Sequence, residues 1–260
     1  VKVDENNCFN GDLVLPSRVT YNSKIYALNY IESRAFAGCK GLTSISIPNS
    51  VRYIGVMAFT NCTGLKSVII SNSVTKIEVA TFFYCTSLTS VIIPNSIIDI
   101  GAFTFSDCSS LTSINIPNSV TRIQSLAFAE CTGLTSINIP NSVKYLENSA
   151  FASCIGLTSI NIPSSIKYLL KGAFNDCVNL NSVTVNWANP LYVNSSLYND
   201  AIFVRERFFE NVDVASAKLY VPAGKKAIYQ ADSIWNDFGT IIEIPTITFT
   251  NNGINYKVIS

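Results

Sequence analysis

Cysteine is the residue type in this sequence whose spacing most readily suggests chemistry. Seven cysteines recur every 23 residues, at Cys39, Cys62, Cys85, Cys108, Cys131, Cys154 and Cys177. A zinc site needs ligands that converge tetrahedrally, whereas side chains stacked one repeat apart point in the same direction. Parallel side chains are also poorly oriented for disulfides between neighbouring repeats, although the expected Cα separation would allow them. We therefore expect a column of seven small, buried and inert thiols, and Cys8, outside the series, has no assigned role.

Catalytic and cofactor chemistry find little support elsewhere in the chain. Histidine is absent, which removes histidine metal ligands, Ser-His-Asp triads and histidine general bases. No glycine-rich phosphate loop or aspartate-rich calcium loop is present. The acidic residues are scattered singly, for example at Asp99, Asp107, Glu130, Glu147 and Asp176. We therefore predict that the protein is not an enzyme, and that it has no catalytic residue, no cofactor and no metal site.

The charge balance narrows the classes of partner. Charged residues make up only 13% of the 260 residues, and the formal net charge is +1. Without a basic run we expect no nucleic-acid partner. No apolar stretch approaches the roughly 20 residues of a membrane helix, so we predict no membrane span in this fragment. The chain begins at Val1 with neither an initiating Met nor a signal peptide, which suggests a mature or excised piece.

The secondary structure that positions these side chains can be predicted from other residues that recur with the same 23-residue period. Phenylalanine recurs every 23 residues from Phe36 to Phe174, and leucine from Leu42 to Leu180. In the consensus L-T-S-I-x-I-P-N-S-V-x-x-I-x-x-x-A-F-x-x-C-x-x, S-I-x-I predicts a half-buried strand and P-N-S a turn. V-x-x-I predicts a short second strand, and A-F-x-x-C one helical or 3₁₀ turn. Because one unit cannot bury its own apolar face, about seven coils must stack into a β-rich solenoid.

Modified repeats predict a cap at each end of the solenoid. Nine extra residues, including the turn Tyr21-Asn22-Ser23-Lys24, indicate a β-hairpin in an N-terminal cap at residues 1–28 that covers the first coil. The coils would occupy residues 29–186. An α+β C-terminal cap is predicted for residues 187–246, with a short helix near residues 223–231 between two degenerate strands. Aromatic side chains would seal the last coil there, namely Trp187, Tyr192, Tyr198, Trp235 and Phe238.

The repeat unit resembles the BspA-like leucine-rich repeats of bacterial surface proteins, and the resemblance covers nearly the whole chain. It implies a leucine-rich-repeat-like, right-handed superhelix on a secreted or cell-surface protein, with roles in adhesion to host proteins, coaggregation and attachment. The family has no shared catalytic motif. Residues 254–259 resemble the start of such a module, so residues 247–260 are expected to be a tail or the opening of a following module in a tandem array.

One candidate binding surface lies on the predicted first strand. Its outward positions are hydroxyl- and amide-lined, and we select Asn115, Asn138 and Asn161 as candidates for contact with an extended peptide or a glycan. The competing interpretation is that such ladders only hydrogen-bond between coils and suit a solvated sheet. A carbohydrate-handling module would need an aromatic platform on this concave face, and these columns contain none.

The opposite surface varies more along the chain and offers a second candidate. Four tyrosines share one column there, Tyr30, Tyr53, Tyr145 and Tyr168, and three of them have a cation beside them, Arg52, Lys144 or Lys167. Tyrosine and arginine are enriched at binding hot spots, although tyrosine also simply suits an exposed strand. We therefore predict a monomeric, extracellular or cell-surface module that binds a host or bacterial surface protein or glycan. The alternative is a rigid structural spacer.

Overall fold

The computed structural model describes residues 8–191, 208–245, 247–251 and 254–258. These residues form a β-solenoid of about nine turns, mostly strand with little helix, so the seven predicted coils are extended at both ends. The helix found within the described ranges, α1 (Lys226–Ala231), follows the strand Lys218–Pro222 and precedes the strand Thr240–Ile244. In chain order the strands are β1 (Gly11–Val14), β2 (Arg18–Tyr21), β3 (Lys24–Ala27), β4 (Tyr30–Ile31), β5 (Leu42–Ser46), β6 (Tyr53–Ile54), β7 (Ser67–Ile69), β8 (Ser90–Ile92), β9 (Asp99–Ile100), β10 (Arg122–Ile123), β11 (Tyr145–Leu146), β12 (Ser159–Ile162), β13 (Tyr168–Leu169), β14 (Ser182–Val185), β15 (Lys218–Pro222), β16 (Thr240–Ile244), β17 (Ile247–Asn251) and β18 (Ile254–Val258).

The S-I-x-I segments form the first parallel ladder of the solenoid. Strands β1, β5, β7 and β8 pair in that order, and so do β12, β14, β15 and β16. Between the two sheets, isolated parallel bridges join Asn115 to Asn138 and Asn138 to Asn161. Residues one repeat apart are partners, as Ile45 is with Val68. The predicted strand is confirmed, because the side chains at its two consensus apolar positions are buried and the alternate positions face outward.

The V-x-x-I segments form a second parallel ladder. Strand β4 pairs with β6, and β9, β10, β11 and β13 form a four-stranded sheet. A single bridge between Ile77 and Ile100 extends that sheet by one coil. In each of these two-residue strands the second residue is buried, as Leu146 is behind Tyr145. The predicted second strand is therefore confirmed, and its first residue is the one that reaches solvent.

The A-F-x-x-C segments form the third side of each coil. The N–H groups of Met57, Phe59 and Asn61 donate to carbonyls of the next coil over 3.0, 2.9 and 2.7 Å, while those of Ala58, Thr60 and Cys62 donate three residues back. This alternation requires left-handed residues, with φ of 57° at Met57 and 58° at Asn61. The predicted helical or 3₁₀ turn is therefore a run of hydrogen-bonded turns, bonded to its own coil and to the next.

The phenylalanine column forms the centre of the core. Rings from Phe36 to Phe174 stack with centroids 5.1–5.8 Å apart and interplanar angles of at most 15°. All seven side chains are almost completely buried. Burial of one such ring contributes about 2–3 kcal/mol, and the offset stacking adds to this. The column ends on Phe209 of the C-terminal cap, whose ring lies 5.7 Å from that of Phe174.

The N-terminal hairpin is present, and its turn has the predicted chemistry. Strands β2 and β3 are antiparallel, and the two turn residues, Asn22 and Ser23, have φ of 47° and 61°, as a two-residue hairpin turn requires. Both strands are exposed along their whole length. The hairpin therefore does not cover the first coil as predicted. Buried Leu15 and Leu28 help to close the core at this end instead.

The C-terminal cap contains the predicted helix and both degenerate strands. Strand β15 pairs with β14 and with β16, so the first ladder continues into the cap. Trp187, Trp235 and Phe238 are buried, as predicted for residues that seal the last coil. Predicted sealing residues Tyr192 and Tyr198 lie outside the described residues.

The cysteine prediction is wrong at one position. Cys39 forms a disulfide with Cys8, with the Cα atoms 5.1 Å apart, whereas the other six cysteines of the column are free and buried. The physical reason is that Cys39 belongs to the first regular coil. Each later thiol donates to the carbonyl of the phenylalanine in the coil before it, and the phenylalanine column begins only in the coil of Cys39 itself. Its sulfur bonds covalently to Cys8 instead.

Candidate binding surfaces

The tyrosine face consists of the first residues of the V-x-x-I strands and their neighbours. The structure divides its four predicted tyrosines into two pairs, rather than one continuous column. The rings of Tyr145 and Tyr168 stack with centroids 4.7 Å apart and an interplanar angle of 2°, and those of Tyr30 and Tyr53 with 4.8 Å and 8°. The three intervening coils place Lys76, Asp99 and Arg122 at this position.

Arg122 connects the C-terminal tyrosine pair to the charges beside it. Its guanidinium carbon lies 4.6 Å from the centre of the Tyr145 ring, within the range of a cation–π interaction. The same guanidinium lies 3.7 Å from a carboxylate oxygen of Glu147. Arg122 is thus held above one tyrosine by two residues of the next coil, Tyr145 and Glu147, and it presents a positioned cation at the end of the aromatic pair.

Lys144 and Lys167 form an exposed edge beside the same pair. The two residues occupy equivalent positions one coil apart, where the N–H of Lys167 donates to the Lys144 carbonyl over 2.9 Å. Like charges at neighbouring positions of a ladder oppose each other and do not favour folding. Arg52 occupies the equivalent exposed position beside Tyr53. Together with Arg122, the two lysines give the Tyr145–Tyr168 pair a positive border.

The N-terminal tyrosine pair has a different electrostatic environment. Burial, followed by the charge of Glu78, raises the pKa of Tyr53. Lys76 and Glu78 form an ion pair of 3.0 Å in the next coil, so the charge of Lys76 is already balanced. This end of the tyrosine face is therefore closer to neutral than the end that carries Lys144 and Lys167.

The serine–asparagine face consists of the outward residues of the first ladder. Asn115, Asn138 and Asn161 are exposed and adjacent, joined through backbone bridges. The carbonyl oxygen of the Asn161 side chain accepts a hydrogen bond of 2.6 Å from the Asn186 amide. At the N-terminal edge, hydrogen bonds from Ser44 and then Thr43 lower the pKa of the Asp12 carboxyl. Part of this face therefore bonds internally, as the solvated-sheet interpretation requires.

Two groups of exposed apolar side chains were missed by the sequence analysis as candidate sites. Ile69 and Ile92 pair on the serine–asparagine face with 50% and 57% of their surface exposed. On the third side of the coils, Phe83, Tyr84 and Phe103 form a cluster that we call the turn-face aromatic cluster. The available signal for Ile69, Ile92, Phe83 and Tyr84 was that large apolar or aromatic residues replace the small or polar ones of other repeats. Phe103 gave no such signal, because its position also holds Met57 and Leu126.

The six free thiols are suited to packing rather than to reaction. Burial raises the pKa of Cys131 and of Cys177 to about 12, and it also raises the pKa of Cys85, Cys108 and Cys154. Thiolates are the reactive form, so these groups are inert at neutral pH. Among the described residues, no group of three or more His, Cys, Asp or Glu side chains is arranged to hold a metal ion. Nor is any helix in the described ranges long and apolar enough to cross a membrane.

Stacked 23-residue coils with two parallel strand ladders and a phenylalanine column define a leucine-rich-repeat-like β-solenoid. The sequence matches the BspA type leucine rich repeat region in six copies, over residues 5–133 and 98–212. The matched residues span most of the chain, which therefore belongs to the BspA-type leucine-rich repeat family. No curated protein matches the sequence at a significant level.

Several solved structures are similar to this chain. A leucine-rich repeat protein of T. pallidum is 29% identical, with a TM-score of 0.60, over 77% of this chain and 86% of that protein. A leucine-rich repeat protein of Bacteroides ovatus is 26% identical with a TM-score of 0.44, over 81% of this chain and only 63% of that protein. A leucine rich cell surface protein of Faecalibacterium prausnitzii is 22% identical with a TM-score of 0.47, over 90% and 88% of the two chains.

Proposed function

We propose that the protein is a non-catalytic binding module of a cell surface, and that the C-terminal half of its tyrosine face contacts the partner. The observation that carries this proposal is the parallel stack of Tyr145 on Tyr168, bordered by Arg122, Lys144 and Lys167. Tyrosine supplies a large, stiff contact area at low entropic cost, and arginine is enriched with it at binding hot spots. The partner is a host or bacterial surface protein or glycan.

The charge of this patch favours a partner that carries negative groups. Lys144 and Lys167 are exposed one coil apart and gain nothing from each other in the free protein. An acidic segment or an anionic sugar chain laid across the two coils would contact both ammonium groups and relieve their repulsion. Part of the Arg122 charge is balanced by Glu147, so the two lysines would supply most of the attraction.

An extracellular location accords with the disulfide. A covalent bond between Cys8 and Cys39 persists in oxidising surroundings and is rare in the cytosol. The six remaining thiols are buried and therefore protected from the same oxidation. Membership of a repeat family found in surface proteins supports the same location.

A rigid spacer is the second candidate function. The continuous phenylalanine stack and the three hydrogen-bonded sides favour it, since a solenoid held in this way resists bending between coils. As a spacer the chain would project another domain and would have no partner of its own. The two functions differ in whether an isolated chain binds anything.

Surface plasmon resonance against arrays of extracellular-matrix proteins and of neutral and anionic glycans tests the proposal. The test variant carries Lys144→Thr and Lys167→Thr, because threonine is native at the equivalent Thr75 and Thr121, together with Tyr145→Ala and Tyr168→Ala. We expect the wild-type chain to bind at least one ligand and the variant to lose at least about 30-fold in affinity, since hot-spot residues contribute about 2 kcal/mol. The matched control, Tyr30→Ala with Tyr53→Ala, should retain binding. An absence of ligands for the wild type favours the spacer.

A further inference from the structure

We propose that the turn-face aromatic cluster, formed by Phe83, Tyr84 and Phe103, is a second binding site, and that its ligand is a neutral saccharide. Phe83 and Tyr84 lie with ring centroids 6.1 Å apart and planes tilted by 50°, and Phe83 meets Phe103 edge-on at 6.4 Å. Tyr84 and Phe103 remain 45% and 39% exposed. The cluster lies on the third side of the coils and is separate from the tyrosine face.

The cluster is costly for the fold, which argues against a purely structural origin. Tyr84 and Phe103 have φ of 60° and 56°, a left-handed conformation that bulky side chains rarely adopt and that Gly, Asn and Asp tolerate better. At the Tyr84 position other coils have small or polar residues, such as Asn61 and Asp107 on either side, whereas the Phe103 position also holds Met57 and Leu126. Strained residues with exposed apolar surface are typical of binding sites.

The hydrogen bonding of this side excludes recognition through the backbone. The N–H groups of Ala80, Phe82 and Tyr84 all donate to carbonyls of the next coil, and those of Thr81 and Phe83 donate three residues back. A peptide added as a further strand would need free backbone groups, and this segment has no free N–H to offer. Recognition must therefore come from the side chains.

The side chains around the cluster match the chemistry of a sugar. The neighbouring positions of the ladder place Asn61 on one side of Tyr84 and Asp107, then Glu130, on the other. An amide and carboxylates accept hydrogen bonds from hydroxyl groups, while the negative faces of the rings attract the polarised C–H bonds of a pyranose. The four turn segments, residues 57–61, 80–84, 103–107 and 126–130, contain no Lys or Arg. An anionic polymer would be repelled here.

Isothermal titration calorimetry of the whole chain with neutral hexasaccharides tests the inference. The probes are cellohexaose, maltohexaose, xylohexaose and mannohexaose, with a heparin-derived hexasaccharide as the anionic comparison. The variants are Tyr84→Asn and Phe103→Ala, which insert the residues native to the preceding coil, Asn61 and Ala80, and so preserve the left-handed backbone. We expect at least one neutral probe to bind, and each variant to lose about 10-fold in affinity while its Tm stays within about 3 °C of the wild type.

The outcomes separate this site from the tyrosine face. The Tyr145→Ala and Tyr168→Ala variant should bind the neutral probe as the wild type does, whether or not the tyrosine face has a ligand of its own. Equal affinity in wild type and Tyr84→Asn would overturn the proposal, as would the absence of binding to all four neutral probes. It would also be overturned if the cluster variants lost binding only to a matrix protein, because the ligand would then be a polypeptide.

Discussion

The thiol of Cys62 donates a hydrogen bond to the carbonyl oxygen of Phe36, 2.9 Å away in the preceding coil. The other five free cysteines repeat this bond at 3.1–3.3 Å, each to the phenylalanine one coil earlier. Each of these carbonyls also accepts the N–H of the cysteine in its own coil. The cysteine and phenylalanine columns are therefore one connected network, in which the thiol is a weak donor with a fixed acceptor.

Removing one thiol from the middle of this network should have a modest cost. We expect Cys108→Ala to lower the free energy of unfolding by about 1–2 kcal/mol, because it removes a buried hydrogen bond and leaves a small void. The Phe82 carbonyl keeps its second partner, which limits the loss. Urea denaturation followed by circular dichroism measures the change. The exposed Ser136→Ala should stay within about 0.5 kcal/mol of the wild type, and an equal effect of both substitutions would contradict the role of the thiol.

The raised thiol pKa values predict that alkaline conditions destabilise the fold. In the unfolded chain a cysteine has a pKa of about 8.5, whereas burial raises the pKa of Cys131 to about 12. Above pH 8.5 the unfolded state loses protons that the folded state keeps. The stabilisation is therefore complete below pH 8.5 and declines as the pH rises towards 12, by about 1.4 kcal/mol per pH unit for each such thiol.

Urea midpoints measured between pH 7 and pH 10.5 check this dependence. The variant Cys131→Ser lacks one titrating thiol, so its stability should fall less steeply above pH 9 than that of the wild type. Below pH 8 the two slopes should be the same. A thiol-reactive chromogen provides the second readout, and we expect the six free cysteines to react at pH 8 only when urea unfolds the chain. Rapid labelling of the native protein would show that the column is accessible.

The repeat allowed most of the core to be predicted, because each column is observed seven times and its period fixes the register. The stacking of Phe59 on Phe82 and the pairing of Tyr145 with Tyr168 both follow from this register. The pairing of Cys8 with Cys39 did not follow from the register. Cys8 lies before the first repeat, so no equivalent residue in another repeat indicates its position. Residues outside the repeated unit are positioned by the shape of the cap, which a period does not encode.

The turn-face aromatic cluster could not be predicted from the sequence for a different reason. Tyr84 and Phe103 both contact the ring of Phe83, and each has a left-handed backbone conformation in the turns of the third side. A helical or 3₁₀ turn, as predicted, would have directed these two side chains differently. The substitution pattern indicated that this coil is unusual, but the backbone conformation decides that its aromatic residues meet on one surface.

Reduction of the disulfide should weaken the N-terminal end of the solenoid. The bond closes a loop with a sequence separation of 31 residues, for which loop-closure entropy gives about 3–4 kcal/mol of stabilisation. We expect Cys8→Ser to lower the stability of the first coils by up to this amount and to increase amide hydrogen exchange around Ile31 and Phe36. Hydrogen exchange with mass spectrometry measures this, and non-reducing peptide mapping should recover Cys8 and Cys39 in one linked peptide. Uniform exchange changes along the chain would contradict a local role.

The C-terminal cap depends on a hydrogen bond between its helix and the end of the last coil. The hydroxyl of Tyr229 in α1 donates to the carbonyl of Trp187 over 2.9 Å, and the Trp187 indole donates to the carbonyl of Ile166 over 3.0 Å. Burial raises the pKa of Tyr229, so the hydroxyl remains a donor at neutral pH. The variant Tyr229→Phe would leave the Trp187 carbonyl without this partner, which costs about 1–3 kcal/mol for a buried group.

The two tryptophans, Trp187 and Trp235, make this prediction specific to one end of the chain. Both belong to the C-terminal cap, so their fluorescence reports its unfolding, whereas circular dichroism reports all coils. Because each repeat contacts only its immediate neighbours, the cap can unfold before the middle of the solenoid. We expect Tyr229→Phe to lower the urea midpoint by fluorescence more than the midpoint by circular dichroism. The exposed Tyr26→Phe should change neither midpoint, and a coincident shift of both signals in Tyr229→Phe would instead mean that cap and coils unfold as one unit.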